Sequence, residues 1–113
     1  MSGNNYNITA DQGSTFVLTF DIATDGDLWD LTGYSARMQV RASISSTSTL
    51  LSLTSPSDIT LTSTGRVTVT VSATDMANVP AGQFVYDLEL VSPSGFVEKP
   101  LKGVFTVIGE VTR

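Results

Sequence analysis

In four stretches of this chain every second residue is large and apolar: Phe16 to Ile22, Ala36 to Val40, Val67 to Val71 and Phe84 to Leu90. The residues between them are mostly polar or β-branched. A period of two is the period of a β-strand, whose side chains point alternately to the two faces of a sheet. The alternation therefore predicts antiparallel strands with one face buried. Thr, Val and Ile at the remaining positions suit a pleated surface and are poor in a helix. At 113 residues the chain is one domain, 1–113, long enough to bury a core without disulfides or metal.

Turn chemistry divides the chain further. Residues 1–5 are small and polar and read as a short N-terminal arm. Tyr6-Asn7-Ile8 is expected as a short first strand, and Asp11-Gln12-Gly13-Ser14 as a turn. Asp25-Gly26 marks a tight hairpin, followed by a short strand Leu28-Trp29-Asp30. In the next strand Ala36, Met38 and Val40 point inward, and Arg37, Gln39 and Arg41 outward. Ser43 to Thr49 is nearly pure Ser/Thr and reads as a loop; Leu50, Leu51 and Leu53 form a strand that ends at Ser55-Pro56. Ile59 to Leu61 and Arg66 to Ser72 flank Ser63-Thr64-Gly65 as a hairpin. Ala73 to Asn78 fits one helical turn, too short to stand alone. Gln83 to Val91 is expected as the longest strand, Ser92 to Gly95 as a turn, and Phe96 to Ile108 as a return arm bent at Pro100 and Gly103. Phe20, Met38, Val69 and Leu88 sit at the centres of alternating runs and are the expected core. About eight short strands with regularly spaced turns predict an all-β fold, an antiparallel β-sandwich of the immunoglobulin-like kind.

Composition narrows the function. The chain has no His and no Cys, which removes the commonest general base, the thiol nucleophile and the usual zinc ligands. The reading is a non-enzymatic module with no cofactor. Eleven acids against six bases give a net charge of −5, which argues against nucleic acid as a partner. No apolar run is long enough for a membrane helix, and the N-terminus lacks the charged and apolar regions of a signal peptide, so synthesis in a cytoplasm is expected.

Each candidate site has a plain structural reading beside it. Asp25, Asp27 and Asp30 are clustered carboxylates, as a hard cation would need, but their spacing is that of a turn, so no metal is expected. Asp87 and Glu89 are two apart on one strand face. A glycosidase needs its acids on opposed walls of a cleft, so a solvated strand face, or an ion pair across the sheet with Arg37 or Arg41, is the better reading. Trp29, the only Trp, either anchors a partner or closes one end of the sandwich, and the core is favoured. Arg37 and Arg41, with Gln39 between them and Tyr34 nearby, make a polar stripe that is either plain exterior or a docking surface.

Four blocks carry a resemblance: Ala10 to Phe16, Asp30 to Arg41 (Asp-Leu-Thr-Gly-Tyr-Ser-Ala-Arg-Met-Gln-Val-Arg), Val79 to Leu90 (Val-Pro-Ala-Gly-Gln-Phe-Val-Tyr-Asp-Leu-Glu-Leu) and Gly103 to Val107. In this order they resemble a family of short β-sandwich proteins of tailed bacteriophages. That family is similar in turn to the N-terminal anchoring domain of siphophage baseplate upper proteins. The resemblance spans nearly the whole chain. It implies a virion component that docks on other phage virion proteins, with a homo-oligomer compatible; with the charge and hydropathy read above, no nucleic acid, membrane or small-molecule ligand is expected. A chain that ends with the sandwich fits a connector or accessory of the tail, neck or baseplate; a capsid decoration protein and a carbohydrate- or receptor-binding module are the alternatives. The expected contact surface joins the N-terminal arm, through Tyr6 and Ile8, with Trp29, Arg37, Arg41, Ser45, Pro93 and Ser94.

Overall fold

The computed structural model describes residues 4–111. Its strands are β1 (Asn4–Asn5), β2 (Ile8–Asp11), β3 (Phe16–Asp21), β4 (Ala23–Thr24), β5 (Asp27–Leu28), β6 (Ser35–Arg41), β7 (Leu51–Thr54), β8 (Ile59–Leu61), β9 (Arg66–Val71), β10 (Gly82–Val91) and β11 (Val97–Ile108), with one helix, α1 (Ala73–Ala77), between β9 and β10. They build two layers. The larger sheet has the order β1-β11-β10-β6-β7, with β2 also on β11; the smaller has the order β3-β9-β8. The hairpin β4-β5 stands apart. Its turn residues Asp25 and Gly26 both have positive φ, 52° and 84°, the backbone a type I′ turn requires.

The core lies between the layers and follows the alternation. Met38, Val40, Val69, Leu88 and Phe105 are each at most 1% exposed. Phe20 differs from expectation. It points inward but is only half-buried, as are Phe16 and Leu18, because β3 is an edge strand and nothing among the described residues lies beside it. The helical turn carries the chain from one sheet to the other. Ser72 caps it by accepting a hydrogen bond from the Asp75 amide at 3.1 Å, and Met76 and Val79 plug that end of the core.

Three expectations need correction. The longest strand is β11, with 12 residues against 10 for β10; it runs past the bulge opposite β10 and pairs in turn with β1 and β2 on its other side. Tyr6-Asn7 is not a strand but a break in one: β1 and β2 pair with β11 in the same parallel register, Asn4 with Leu101 and Ile8 with Phe105. The described end of the arm is thus docked on the sheet, while Met1 to Gly3 lie outside the described residues. Third, Ile8 is only 5% exposed, so its side chain is core and not contact surface.

The break has a local cause. The Tyr86 hydroxyl donates to the Tyr6 carbonyl at 2.6 Å. The Val104 amide instead donates to Asn7 Oδ1 at 3.1 Å, so a side chain replaces the main-chain acceptor. Gly103 makes room. A Cβ there would lie 2.5 Å from the Tyr6 carbonyl oxygen, closer than any real contact.

Candidate functional site

The outer face of the larger sheet gathers most of the chain's basic residues. It is built by β6, β10 and β11, whose registers place Arg37 opposite Glu89, Gln39 opposite Asp87, Arg41 opposite Val85, and Asp87 opposite Lys102. Lys99 also reaches this face. Four of the chain's six bases (Arg37, Arg41, Lys99, Lys102) therefore share the centre of this face with two acids, Asp87 and Glu89, while a third, Asp11, is exposed at its β2 margin opposite Ile108. On a chain of net charge −5 this is a basic island.

Its charges are partly tied. Glu89 pairs with Arg37, and Lys99 Nζ bridges Asp87 at 3.4 Å and Glu89 at 3.7 Å. Arg41 is held by other means, donating to the Ser46 carbonyl at 2.6 Å and to Gln39 Oε1 at 2.8 Å. Among the described residues no carboxylate lies within ion-pair distance of Arg41 or Lys102. These two cations stay open to a partner.

Between them the face is hollow and apolar at its floor. A concavity of about 630 Å³ is lined by Val85, Val104, Gly103 and Ile44 together with the cations Arg41, Lys99 and Lys102 and the carboxylates Asp87 and Glu89. Ile44 stands on the Ser/Thr-rich loop and is 91% exposed. A large apolar side chain held in water beside unpaired cations suits an interface better than a plain exterior.

The structure sorts the other candidates. Arg37 and Arg41 lie on this face, and Ser45 follows Ile44 in its loop. Tyr6 is half-exposed on the edge of β11 near Gly103. Pro93 and Ser94 are exposed in the turn after β10, at the opposite end of the sheet from Arg41. Trp29 is half-buried against the core, with its indole N–H donating to Thr24 Oγ1 at 2.8 Å, and Tyr34 also packs there. Asp25 and Asp27 belong to the hairpin. Asp30 accepts from the Thr32 hydroxyl at 2.6 Å and the Thr32 amide at 3.0 Å, and these bonds hold its carboxyl below the usual carboxylate range. Among the described residues no three potential ligands gather as a metal site.

Lys99, Lys102, Ile44, Val85 and Val104 were not singled out from sequence. The lysines are three apart, and in a regular strand such residues face opposite ways. The β10–β11 register slips between Leu88 and Leu90: Leu88 pairs with Leu101 but Leu90 with Glu98, so Lys99 and Pro100 together oppose Glu89. This β-bulge buries Pro100 and Leu101 in succession and leaves both lysines outside. The proline was the available signal.

No family model matches the chain, and no curated protein is similar to it in sequence. Solved structures are similar. One is described as the NK cell receptor Nkp44, a triggering partner in natural cytotoxicity, at a TM-score of 0.53 and 18% identity, covering 94% of this chain and 100% of that one. A second comes from work on multimeric cell-adhesive interactions of VGSC beta subunits, at a TM-score of 0.50 and 14% identity, covering 92% of each chain. The fold is immunoglobulin-like, of the variable type. In that arrangement the basic island occupies the sheet of strands G, F and C (here β11, β10 and β6). At such identities the likeness shows the fold and nothing further.

Proposed function

We propose that this immunoglobulin-like chain is a non-enzymatic structural protein of a tailed-bacteriophage virion, a connector or accessory module that docks on neighbouring virion subunits. The observation that carries the docking reading is the basic, apolar-floored outer face of β6, β10 and β11. The phage setting rests on the four sequence blocks from Ala10 to Val107. The partner surface that fits this face is acidic at its rim and carries an apolar residue for the hollow. Arg41 and Lys102 steer it, and Ile44, Val85 and Val104 supply the buried contact.

The test is occupancy on particles. Particles lacking the protein are incubated with wild-type chain or with an Arg41→Glu/Lys102→Glu variant, and bound protein is quantified at low and high salt. Wild type binds, salt weakens binding, and the variant binds poorly while folding normally. Equal occupancy by the variant rejects this face as the contact. Specific binding to host glycans on an array, with no binding to particles, replaces the virion reading by a receptor-binding one.

A further inference from the structure

The smaller sheet has an edge that the fold leaves open. In an immunoglobulin-like sandwich the first strand normally lies on the sheet of strands B, E and D. Here β1 and β2 both pair with β11 instead, and among the described residues β3 pairs only with β9. The open edge runs from Phe16 to Asp21.

The ladder tells which groups face outward. Ile22 donates to Gly65 across the β3–β9 register. Alternate residues of an antiparallel strand bond to the same neighbour, so Phe16, Leu18 and Phe20 bond to β9. The N–H and C=O groups of Val17, Thr19 and Asp21 then point to the free side. Protein edges are usually blocked by Lys, Pro, a bulge or a covering loop. β7 shows such protection: the Thr54 amide donates to Asp58 Oδ2, and its carbonyl accepts from the Asp58 amide. β3 has none of these devices. Its inward residues Phe16, Leu18 and Phe20 are half-buried, and Val17 is 57% exposed.

We infer that the β3 edge is a pairing surface for a second copy of this chain, joined antiparallel across a two-fold axis. A second copy fits because the edge is complementary to itself. With Val17 opposite the partner's Thr19, Leu18 lies on the axis and Phe16 faces the partner's Phe20, so each half-buried aromatic gains an apolar neighbour. Asp21, the edge's one charge, falls opposite the partner's Thr15 and not opposite its own copy. Its carboxylate is already held by Arg66, with Nε at 3.0 Å. No like charges meet, and every outward backbone group from Val17 to Thr19 finds a mate. The inference does not depend on the basic face of the other sheet.

The test is self-association of the full chain, measured by sedimentation from micromolar to millimolar concentration, with amide exchange read at Val17 and Thr19. A dimer is expected, with those two amides gaining protection as concentration rises. Val17→Lys adds charge to the edge at an exposed position. Thr19→Pro removes an outward N–H that no internal bond uses. Either variant is expected to be monomeric with the wild-type melting curve; should the proline variant fail to fold, the lysine variant decides. A wild-type monomer throughout the range overturns the inference, as does a dimer that persists in a folded variant. Protection of these amides only by another virion protein also overturns it. The Arg41→Glu/Lys102→Glu variant should dimerise normally, so loss of particle docking and loss of pairing are separately visible.

Discussion

Gly103→Ala tests how the N-terminal strand is held. The added methyl would meet the Tyr6 carbonyl oxygen at 2.5 Å and Asn7 Oδ1 at 3.0 Å. One of these is backbone, so the strand itself must move. Two hydrogen bonds depend on that close approach, from the Tyr86 hydroxyl to Tyr6 and from the Val104 amide to Asn7. Each contributes about 0.5–1.5 kcal/mol net, so losing both costs about 1–3 kcal/mol. Gly103 also has a φ of 158°, a backbone that a residue with a Cβ adopts only under strain, so the stiffer unfolded chain of the alanine variant brings no net gain. The expected loss is at least about 1–3 kcal/mol, and in a domain near this size each kcal/mol lowers Tm by about 4–8 °C. Tyr86→Phe removes one of the two bonds and should cost about 1 kcal/mol. The decisive measurement is the double variant in urea unfolding. If Gly103→Ala has already displaced Tyr6, removing the hydroxyl adds little, and the pair falls short of additivity by about 0.5–1.5 kcal/mol. Full additivity, or a Gly103→Ala protein as stable as wild type, would refute the account of the strand break.

Other outcomes follow from the same contacts. Burial pushes the Tyr86 hydroxyl up to about 12 from its ordinary 10.0; the unfolded chain releases this proton first, so stability is full below pH 10 and falls as pH rises toward 12, a slope that Tyr86→Phe should flatten in alkaline melting curves. Arg66 holds the Asp21 carboxyl below its usual range through a side-chain hydrogen bond, so this pair's contribution is present above the ordinary Asp pKa and is lost as pH falls through the lowered value. Acid titration of Arg66→Ala should lack that part of the loss. Leu88→Ala empties a site that is 0% exposed and should cost about 2–5 kcal/mol in chemical unfolding; no loss would remove the strand register. Chelator should leave Tm unchanged, since Asp30 is held by Thr32 and no three potential ligands gather among the described residues, and a drop restored by Ca²⁺ would contradict that.

Much of this protein was legible in its sequence. Alternation is local, and a period of two can be read without knowing a strand's neighbours. It correctly divided β6 into buried Ala36, Met38 and Val40 and outward Arg37, Gln39 and Arg41. Turn residues are local too, so the Asp25-Gly26 hairpin, the Ser92–Gly95 turn and the helical turn after Ser72 stood where expected. The Glu89–Arg37 ion pair was one of two readings offered by facing charges on alternating strands.

What tertiary structure alone decided is which strands became neighbours. Pairing depends on free energies shared between distant segments, and no window of sequence contains both partners. Nothing near Tyr6 says that its carbonyl will be claimed by Tyr86, so the break between β1 and β2 was read as a strand and buried Ile8 as a contact. The bulge at Lys99-Pro100 turned two lysines to one side against the plain period, and only the β10–β11 register reveals it. Because the N-terminal strands chose β11, the edge of β3 was left open and Phe20 only half-covered, although its own alternation places it in the core. The sequence by itself determined the faces of the strands, because side-chain direction follows from the residue's position in its strand. The order of those strands, and with it the basic face and the open edge, came from packing.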